Sequence, residues 1–259
     1  MSVYVTGDIH GDPIKRFSFK AHPKLRELTS QDYMIVLGDC GVPFGYQAPW
    51  FNEKEFEYQK QWLSNQKYNF IFICGNHDDY DYVETLPQVN VFNNESVRKM
   101  LDNVFYIDTP GVYDIADQHC LIIPGAESHD VQDGILDPQE ETFPETYHKW
   151  KKDYSKMFRV KHWDWWEQEK VDTSAIKEHI NKWINDHFDF VFTHDSPCLQ
   201  RWDYWEKRWG TLTDSERALE FVYCQIEFDA WFHGHFHEWC QYGVDSNVMC
   251  IYTEIMEVA

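Results

Sequence analysis

Short apolar runs alternate with longer amphipathic stretches through the first third of the chain. Near-continuous apolar runs at 32–37 and 69–74 predict strands that are buried on both faces, and residues 3–6 predict an opening strand. Residues 53–66 place apolar side chains at helical spacing and predict a helix. Because strand, polar loop and helix repeat in this order, the pattern predicts an α/β layered architecture.

The same pattern resumes after residue 171. Residues 173–187 predict an amphipathic helix, and Thr213 with Glu216 forms a capping-box motif that opens another helix. The remaining apolar runs predict strands at 104–107, 111–115, 119–123, 188–193, 228–232 and 247–252. The first three of these strands follow one another closely, which favours an antiparallel meander over a strand–helix unit.

Residues 127–171 interrupt this alternation. The segment is polar and turn-rich, carries several aromatic residues, and predicts a partly helical excursion from the sheet. It is too short to bury a core of its own comfortably. The sequence shows no internal repeat and no low-complexity linker, so it predicts a single domain over residues 1–259 that includes this excursion.

The composition narrows the classes of protein. Of the 259 residues, 43% are hydrophobic and 17% are aromatic, which argues against an intrinsically disordered chain. The formal net charge of −21 disfavours long nucleic acids and anionic membranes as partners. A confined pocket for a small phosphate ester or a nucleotide is compatible with that charge, and the oligomeric state stays open.

The cysteines and the N-terminal residues indicate a cellular compartment. The seven cysteines are spread singly, without a Cys-x-x-Cys motif, as is typical of reduced and mostly buried thiols. The sequence shows no signal-peptide pattern, and no apolar run approaches the ~18 residues of a membrane span. We therefore expect a soluble cytoplasmic protein.

Candidate metal ligands follow five of the predicted strands. Ligands of open α/β sheets bind beyond the carboxyl ends of the strands, and carboxylates together with imidazoles are suitable donors for divalent transition ions. The residues at these five ends are Asp8 and His10, Asp39, Asn76 and His77, His194, and His235 and His237. Such residues at one strand end are a weak signal, but their presence at five strand ends in this order indicates a metal site.

The motifs that carry these residues resemble those of the calcineurin-like metallophosphoesterases. They are Gly-Asp-Ile-His-Gly at 7–11, Gly-Asp-Cys-Gly at 38–41, Gly-Asn-His-Asp at 75–78, Thr-His at 193–194 and Gly-His-Phe-His at 234–237. The polar stretches at 128–130 and 134–138, with Trp165 and Trp166, also resemble a bacterial and phage branch of that family. The resemblance implies a four-layer α/β/β/α sandwich with a two-metal site.

The resemblance also implies a ligand set and a reaction. It gives one ion to Asp8, His10 and His237, the other ion to Asn76, His194 and His235, and a bridging position to Asp39. We expect Mn²⁺, with Fe, Zn²⁺ and Ni²⁺ as alternatives, because mixed imidazole and carboxylate donors do not suit Ca²⁺. The implied reaction is hydrolysis of a phosphate ester by a metal-activated hydroxide.

In the same family, the position of His77 is that of the general acid, which protonates the leaving group. Protein phosphatases of the family carry an aspartate and an arginine where this chain has Val42 and Pro43. The orientation of His77 is therefore left open, and a protein-phosphatase assignment is weakened. Asp78 could replace the missing partner, and an exposed helix-capping role for Asp78 is the alternative.

Several functions stay open at this point. The motifs suit both a phosphatase and a phosphodiesterase. Aromatic residues such as Tyr46, Trp50 or Trp165 would let a phosphodiesterase stack on a nucleotide or a cyclic nucleotide. A non-catalytic scaffold is a further alternative, although scaffolds tend to lose the ligands or the acid, and this chain keeps both.

Five polar residues in or near the motifs are candidates for further roles. His129 is expected to bind substrate, with Ser128 and Asp130 beside it, although a structural loop is an equal alternative. Asn76 is expected to contact substrate as well as metal. For His233, a core or hydrogen-bonding role is favoured over a catalytic one.

The excursion carries its own candidates. For Arg159 and Lys161 we expect solvated positions, with phosphate binding as the alternative. Trp163, Trp165 and Trp166 are expected to pack the excursion onto the main core. Stacking on a base or sugar, or a dimer contact, are the alternatives for this cluster.

Overall fold

Two β-sheets pack face to face at the centre of the structure, a computed structural model that describes residues 1–93, 95–197 and 212–259. The larger sheet contains β1 (Val3–Thr6), β2 (Tyr33–Val36), β3 (Asn69–Ile73), β4 (Gln88–Val91), β5 (Glu95–Leu101), β6 (Val104–Ile107) and β15 (Met256–Glu257). These strands lie in the order β15-β1-β2-β3-β6-β5-β4. Strands β1, β2, β3 and β6 are parallel, so their carboxyl ends meet at one edge.

The smaller sheet also has a parallel centre. It contains β7 (Gly111–Ile115), β8 (Gln118–Ile123), β11 (His187–Thr193), β12 (Glu227–His233), β13 (Cys240–Tyr242) and β14 (Val248–Cys250), in the order β13-β14-β12-β11-β8-β7. Strands β8, β11, β12 and β14 are parallel to one another. A separate parallel pair, β9 (Gly134–Leu136) and β10 (Phe158–Val160), belongs to neither sheet.

Helices follow most of the parallel strands. They are α1 (Pro13–Arg16), α2 (Glu53–Ser64), α3 (Tyr80–Thr85), α4 (Phe143–Trp150), α5 (Thr173–Trp183) and α6 (Asp214–Tyr223), with short 3₁₀ turns at Pro23–Arg26, Glu167–Glu169 and Val244–Ser246. The predicted capping box is present at the start of α6, where Thr213 and Glu216 satisfy each other's backbone N–H groups. Asn52 caps α2 by accepting the N–H of Glu55.

Alternate residues of the central strands face opposite layers. In β2, Met34 lies in the core beneath the helices α1 and α2, whereas Ile35 lies in the core between the two sheets. In β11, Phe192 faces the core between the sheets, and Val191 faces the core beneath α5 and α6. Both faces are buried, which explains the apolar runs without polar positions. The layers are α/β/β/α, which confirms the predicted fold class.

The predicted antiparallel meander is wrong in one respect. Strands β7 and β8 form an antiparallel hairpin, but β6 pairs in parallel with β3 in the larger sheet. The turn at 108–110 therefore carries the chain from one sheet to the other. Side-chain alternation shows which face of a strand is buried but not which strand is its partner, so the sequence could not separate the two sheets.

Residues 127–171 contain α4 and the β9–β10 pair. This agrees with a partly helical excursion, while the single domain over residues 1–259 stays a prediction. Among the described residues, no helix is both long enough and apolar enough to cross a membrane.

Candidate metal centre

The predicted ligands lie just beyond strand ends of both sheets. Asp8 and His10 follow β1, Asp39 follows β2, Asn76 follows β3, His194 follows β11, and His235 and His237 follow β12. Four of these ligands have a left-handed backbone: His10, Asp39, His235 and His237 have φ of 44°, 50°, 68° and 51°. Such values are uncommon for residues with a side chain and cluster at functional sites. They turn the chain sharply as it leaves each strand.

One group of donors joins the two sheets. Asp8 Oδ2 lies 3.0 Å from His237 Nε2, and His10 Nε2 lies 2.9 Å from the same nitrogen. The other oxygen of Asp8 accepts the backbone N–H of His235 at 3.0 Å. Ligand atoms of Asp8, His10 and His237 all lie within 4.8 Å of one another. The structure therefore brings together the three residues that the resemblance gave to one ion.

A second group contains Asp39, His194 and His235, again within 4.8 Å of one another. His194 Nε2 is 3.1 Å from Asp39 Oδ1 and 3.1 Å from Asn76 Oδ1. The Nδ1 of the His194 ring lies 2.7 Å from the Leu37 carbonyl oxygen, and this contact fixes the orientation of the ring. Asp39 also forms a third group with His10 and His77, so it lies between the two sets of donors.

These donors fit divalent cations. Asp8 Oδ2 is buried, and the imidazole nitrogens of His237 and His10 lie 3.0 and 3.8 Å from it. Two pairs of imidazole nitrogens face each other at 2.9 Å, namely His10 with His237 and His129 with His235. Several electron-pair donors that converge on one point, with a buried carboxylate oxygen among them, are the arrangement expected of ligands around a cation.

The charges of the site attract cations strongly. Burial alone would raise the pKa of Asp39, but the imidazoles of His194 and His77 lower it well below its usual range. Burial opposes protonation of His194, yet the Asp39 carboxylate raises the pKa of His194 above its ordinary value. A hydrogen bond to Asp8 likewise raises the pKa of His237. The carboxylates of Asp8 and Asp39 therefore favour positive charge beside them.

Two glycines leave room for the carboxylates. A Cβ on Gly75 would lie 2.4 Å from Asp39 Oδ1, and a Cβ on Gly234 would lie 2.4 Å from Asp8 Oδ1. Any side chain at either position would push the carboxylate away. The motif glycines thus have a steric role, since the backbone passes directly against the ligands.

Asp78 has neither of its predicted roles. Its side chain is fully buried and accepts the backbone N–H groups of Cys40, Gly41 and Gly75, at 3.3, 2.8 and 2.8 Å. The cap of α3 is instead Asp79. A buried carboxylate can accept several backbone N–H groups at once, so Asp78 ties the loop after β2 to the loop after β3.

The partner of the His77 side chain is Arg159, which the sequence placed in solvent. Arg159 Nη2 donates to His77 Nε2 at 2.8 Å, and Arg159 is only 4% exposed. Burial, together with the charge of Arg159, lowers the pKa of His77 to about 4, against the opposing effect of Asp39. Lys161 forms an ion pair with Asp137 at 3.4 Å and is partly exposed, as predicted. The excursion therefore reaches the candidate site through Arg159.

A cavity of about 290 Å³ opens over this side of the site. Its lining residues are Asp39, Asn76, His77, His129, Asp130, Arg159, His235, Phe236 and His237. His129 and Asp130 thus border the same space as the ligands. Ser128 lies deeper, where its hydroxyl accepts the Asn76 side-chain amide at 3.3 Å.

The remaining candidates have packing roles. His233 is buried and hydrogen-bonds to the Tyr242 hydroxyl, in line with the predicted core position. Trp165 and Trp166 are buried, and the Trp166 indole donates to Asp81 at 3.0 Å. The ring of Trp163 packs at right angles to Trp50, with centroids 5.5 Å apart. The tryptophan cluster packs the excursion against the rest of the chain, as expected.

One supporting residue carried no signal in the sequence. Arg16 of α1 donates to the carbonyl oxygens of Gly7, Asp8 and Tyr252, at 3.2, 2.6 and 2.6 Å. It thereby fixes the turn that presents Asp8. An arginine at the end of a short helix has no motif of its own, and only the fold shows its targets.

The fold and the site together define a class of protein. The chain belongs to the calcineurin-like phosphoesterase family, whose sequence model matches residues 1–239. It is thus a metal-dependent phosphoester hydrolase, and the family implies a dinuclear site for divalent metal ions. No curated protein matches the chain.

The solved structures that match this chain share little sequence with it. Phosphopantetheinyl hydrolase from Mycobacterium tuberculosis is 13% identical, with a TM-score of 0.42 over 97% of this chain and 88% of that one. A putative 5′-nucleotidase from Staphylococcus aureus is 15% identical, with a TM-score of 0.46 over 97% of this chain and 48% of that one. A protein of unknown function from Aquifex aeolicus is 14% identical, with a TM-score of 0.33 over 88% and 87%. At these values the similarities give no information on substrate.

Proposed function

We propose that this enzyme hydrolyses a small phosphate ester at the strand ends of the two sheets, with His77 as the acid that protonates the leaving oxygen. The proposal rests on one observation, the convergence of seven donors at the strand ends, namely Asp8, His10, Asp39, Asn76, His194, His235 and His237. Four of them, Asp39, Asn76, His235 and His237, border the cavity that His77 also borders. When bound, two divalent ions would lower the pKa of water and offset the negative charge of the phosphoryl oxygens.

The protein's own groups have distinct roles in this proposal. Asp39 lies between the two sets of donors and would hold both ions. Asn76 and His129 border the cavity and would contact the ester. His77 Nε2 accepts a hydrogen bond from Arg159 in the substrate-free enzyme. A phosphate that takes up Arg159 frees Nε2 and adds negative charge beside the imidazole. Nε2 can then take up a proton from solvent and pass it to the leaving oxygen.

The acid role is tested with leaving groups of different basicity. In His77→Ala, hydrolysis of phenyl phosphate should fall by about 10²- to 10⁴-fold. Hydrolysis of p-nitrophenyl phosphate should fall much less, because p-nitrophenolate leaves without a proton. The measurement is kcat for both esters in enzyme reconstituted with metal.

The control is His148→Ala, which removes an exposed histidine of α4. It should leave both rates unchanged. Equal losses on the two esters in His77→Ala would contradict an acid role. Wild-type enzyme that holds two ions and hydrolyses neither a monoester nor a diester would overturn the proposed function as a whole.

We further propose Mn²⁺ as the resident ion, with Fe, Zn²⁺ and Ni²⁺ as alternatives. The donors include two carboxylates, an amide oxygen and four imidazoles, a mixture that suits these ions better than Ca²⁺. Metal content after reconstitution, measured beside activity for each ion, distinguishes them.

A nucleotide phosphodiesterase is the second candidate function. A neighbouring cavity of about 220 Å³ contains His10 in its wall, together with the aromatic rings of Phe44, Trp50 and Phe51. Trp50 is 45% exposed, so its ring is accessible to a flat ligand. A base stacked there would have its phosphate near His10. A substrate screen with nucleotides, cyclic nucleotides, phosphopeptides and p-nitrophenyl esters separates this function from a general phosphatase.

Two broader expectations stay proposals. We propose that residues 1–259 act as one domain, because Arg159 and Trp166 of the excursion contact residues of the main fold. We also propose a cytoplasmic setting. The cysteines of the described ranges are free thiols, and four of them are buried. Cys198 lies outside the described residues.

A further inference from the structure

The excursion presents a single guanidinium group to the cavity. Arg159 follows Phe158 in β10, is 4% exposed, and borders the 290 Å³ cavity beside His77. Of the described residues that line this cavity, Arg159 is the one arginine or lysine. In a chain with a net charge of −21, such a group is a rare source of positive charge for a bound anion.

Three of the guanidinium contacts fix the group in place. Nε donates to Asp130 at 2.6 Å, and Nη1 donates to the carbonyl oxygens of Asn76 and Asp164 at 3.1 and 2.9 Å. Nη2 has a different environment. One of its N–H groups donates to His77 Nε2, and the structure gives the other no hydrogen-bond partner among the described residues.

Nη2 therefore has donors that a ligand could use. A neutral imidazole is a weaker acceptor for guanidinium than a phosphate oxygen, because the phosphate oxygen carries negative charge and two such oxygens match the geometry of the guanidinium N–H groups. A phosphate oxygen in the cavity would compete well for both N–H groups. Since Nε and Nη1 stay anchored, little conformational entropy would be lost on binding.

We propose that Arg159 binds the phosphate group of the substrate and positions it beside His77. This inference rests on the proposed function and deepens it, since it identifies the excursion as the part of the chain that supplies the phosphate contact. The substrate class that follows is an ester with a terminal or exposed phosphate, whose non-bridging oxygens can reach Nη2.

A purely structural role for Arg159 is the competing explanation, because its contacts also hold the excursion against the loop after β3. The two roles differ in what they predict for Asp130, whose carboxylate is half-exposed beside the cavity. Asp130→Asn keeps an oxygen that accepts from Nε but removes a negative charge that repels an anion. Phosphate binding should become tighter if Arg159 is a ligand, and weaker if the ion pair only maintains the structure.

The experiment titrates inorganic phosphate into full-length protein loaded with Mn²⁺ and follows binding by isothermal titration calorimetry. Arg159→Gln should raise the Kd for phosphate by about 10- to 100-fold, the value of one or two charge-assisted hydrogen bonds. Arg159→Lys should give an intermediate Kd, because lysine keeps the positive charge but lacks the planar set of N–H donors of a guanidinium group. Asp130→Asn should lower the Kd by about twofold or more.

Lys161→Gln is the matched control. It removes the same charge two residues further along, from a side chain that pairs with Asp137 and does not line the cavity. Its Kd should equal that of the wild type. Metal content and thermal unfolding of each variant are measured in parallel, and if Arg159→Gln does not fold, Arg159→Lys and Asp130→Asn decide the question.

Three results would overturn the inference: an unchanged Kd in Arg159→Gln, a similar loss in Lys161→Gln, or a weakened affinity in Asp130→Asn. The proposed function can fail separately. Wild-type protein that binds phosphate through Arg159 but hydrolyses no ester would leave the inference standing without the activity. Hydrolysis that survives with unchanged KM in Arg159→Gln would preserve the activity and overturn the inference.

Discussion

Glu169 is a buried carboxyl group behind the candidate site. Its Oε1 accepts the backbone N–H of Ser128 at 2.9 Å, and its Oε2 is buried without a hydrogen bond among the described residues. Burial raises the pKa of Glu169 to about 8, although Ser128 and Arg159 oppose the shift. The group is therefore mostly protonated at neutral pH, and it supports the serine that contacts Asn76.

This pKa predicts how stability depends on pH. The folded protein holds the proton of Glu169 more tightly than the unfolded chain, whose glutamate has an ordinary pKa near 4.5. The stabilising effect is thus fully present below about pH 4.5 and is lost as the pH rises through about 8. Glu169→Gln should flatten this dependence, so that its unfolding free energy exceeds that of the wild type at about pH 9.

Urea unfolding at several pH values measures the effect. Glu167→Gln serves as the control, because Glu167 is exposed on the same turn and pairs only with Lys170 among the described residues. The control should keep the pH dependence of the wild type. Parallel curves for wild type and Glu169→Gln would show that Glu169 is not the group responsible.

At the scale of residues, the sequence predicted the candidate metal ligands but not the residues that hold the site in place. Asp8, His10 and His237 could be found because each follows a strand in a short motif. Arg159 could not, because its contact with His77 spans 82 positions and arginine occurs in many solvated settings. A side chain that acts through tertiary packing leaves no local pattern.

At the scale of elements, Asp78 connects two strand ends that both carry ligands. Its carboxylate accepts N–H groups from Cys40 and Gly41 after β2, and from Gly75 after β3. The spacing between Asp39 and Asn76 therefore depends on one buried side chain.

Replacing Asp78 by alanine should disturb both stability and metal binding. Buried N–H groups without an acceptor cost about 1–3 kcal/mol each, so the unfolding free energy should fall by about 3 kcal/mol or more. Metal affinity should fall by at least about tenfold, as for other residues that orient ligands. Calorimetric metal titration and urea unfolding measure the two effects.

Asp79→Ala provides the comparison for that variant. Asp79 caps α3 by accepting the N–H of Tyr82 and also accepts the N–H of Tyr46, whereas Asp78 accepts N–H groups directly beside the candidate ligands. Loss of the Asp79 side chain should cost about 1–2 kcal/mol, typical of a helix cap, and should leave metal affinity near that of the wild type. Equal metal affinities in the two variants would argue against Asp78 as the link between the loops.

The elements themselves were predictable where the local pattern is strong. The parallel strands β1, β2 and β3 stand out as apolar runs, because both of their faces are buried. Strands β4 and β5 were not predicted, since both mix polar with apolar residues; β4 is an edge strand of the larger sheet and β5 lies beside it. The chain leaves the larger sheet at the turn after β6. The sequence pattern of β6 does not show this turn, so the partner of β6 could not be predicted.

At the scale of the whole molecule, the candidate ligands come from both sheets. Asp8 and Asp39 belong to the larger sheet, whereas His194 and His237 belong to the smaller one. Because the first and the second group of donors each combine residues that follow strands of both sheets, a cation held by either group binds only the folded protein. At about 1,000 times the Kd, free metal would add about 4 kcal/mol of stability.

Removal of metal should therefore lower the thermal midpoint. For a chain of this size, about 4 kcal/mol corresponds to roughly 8–16 °C. Differential scanning calorimetry with Mn²⁺ and with a chelator measures the shift. Asp8→Asn should reduce the shift, and midpoints that coincide with and without metal in the wild type would contradict a site that links the sheets.

The short strand β15 has a consequence for association between molecules. It pairs antiparallel with β1, and Val3 donates its N–H to the Ala259 carbonyl oxygen at 2.8 Å. Without β15, the strand β1 that precedes Asp8 would be an open edge, and open apolar edges are templates for strand addition and aggregation. The pairing of Tyr4 with Glu257 and of Val5 with Met256 covers the middle of β1, so this edge of the larger sheet is closed to strand addition by a second molecule.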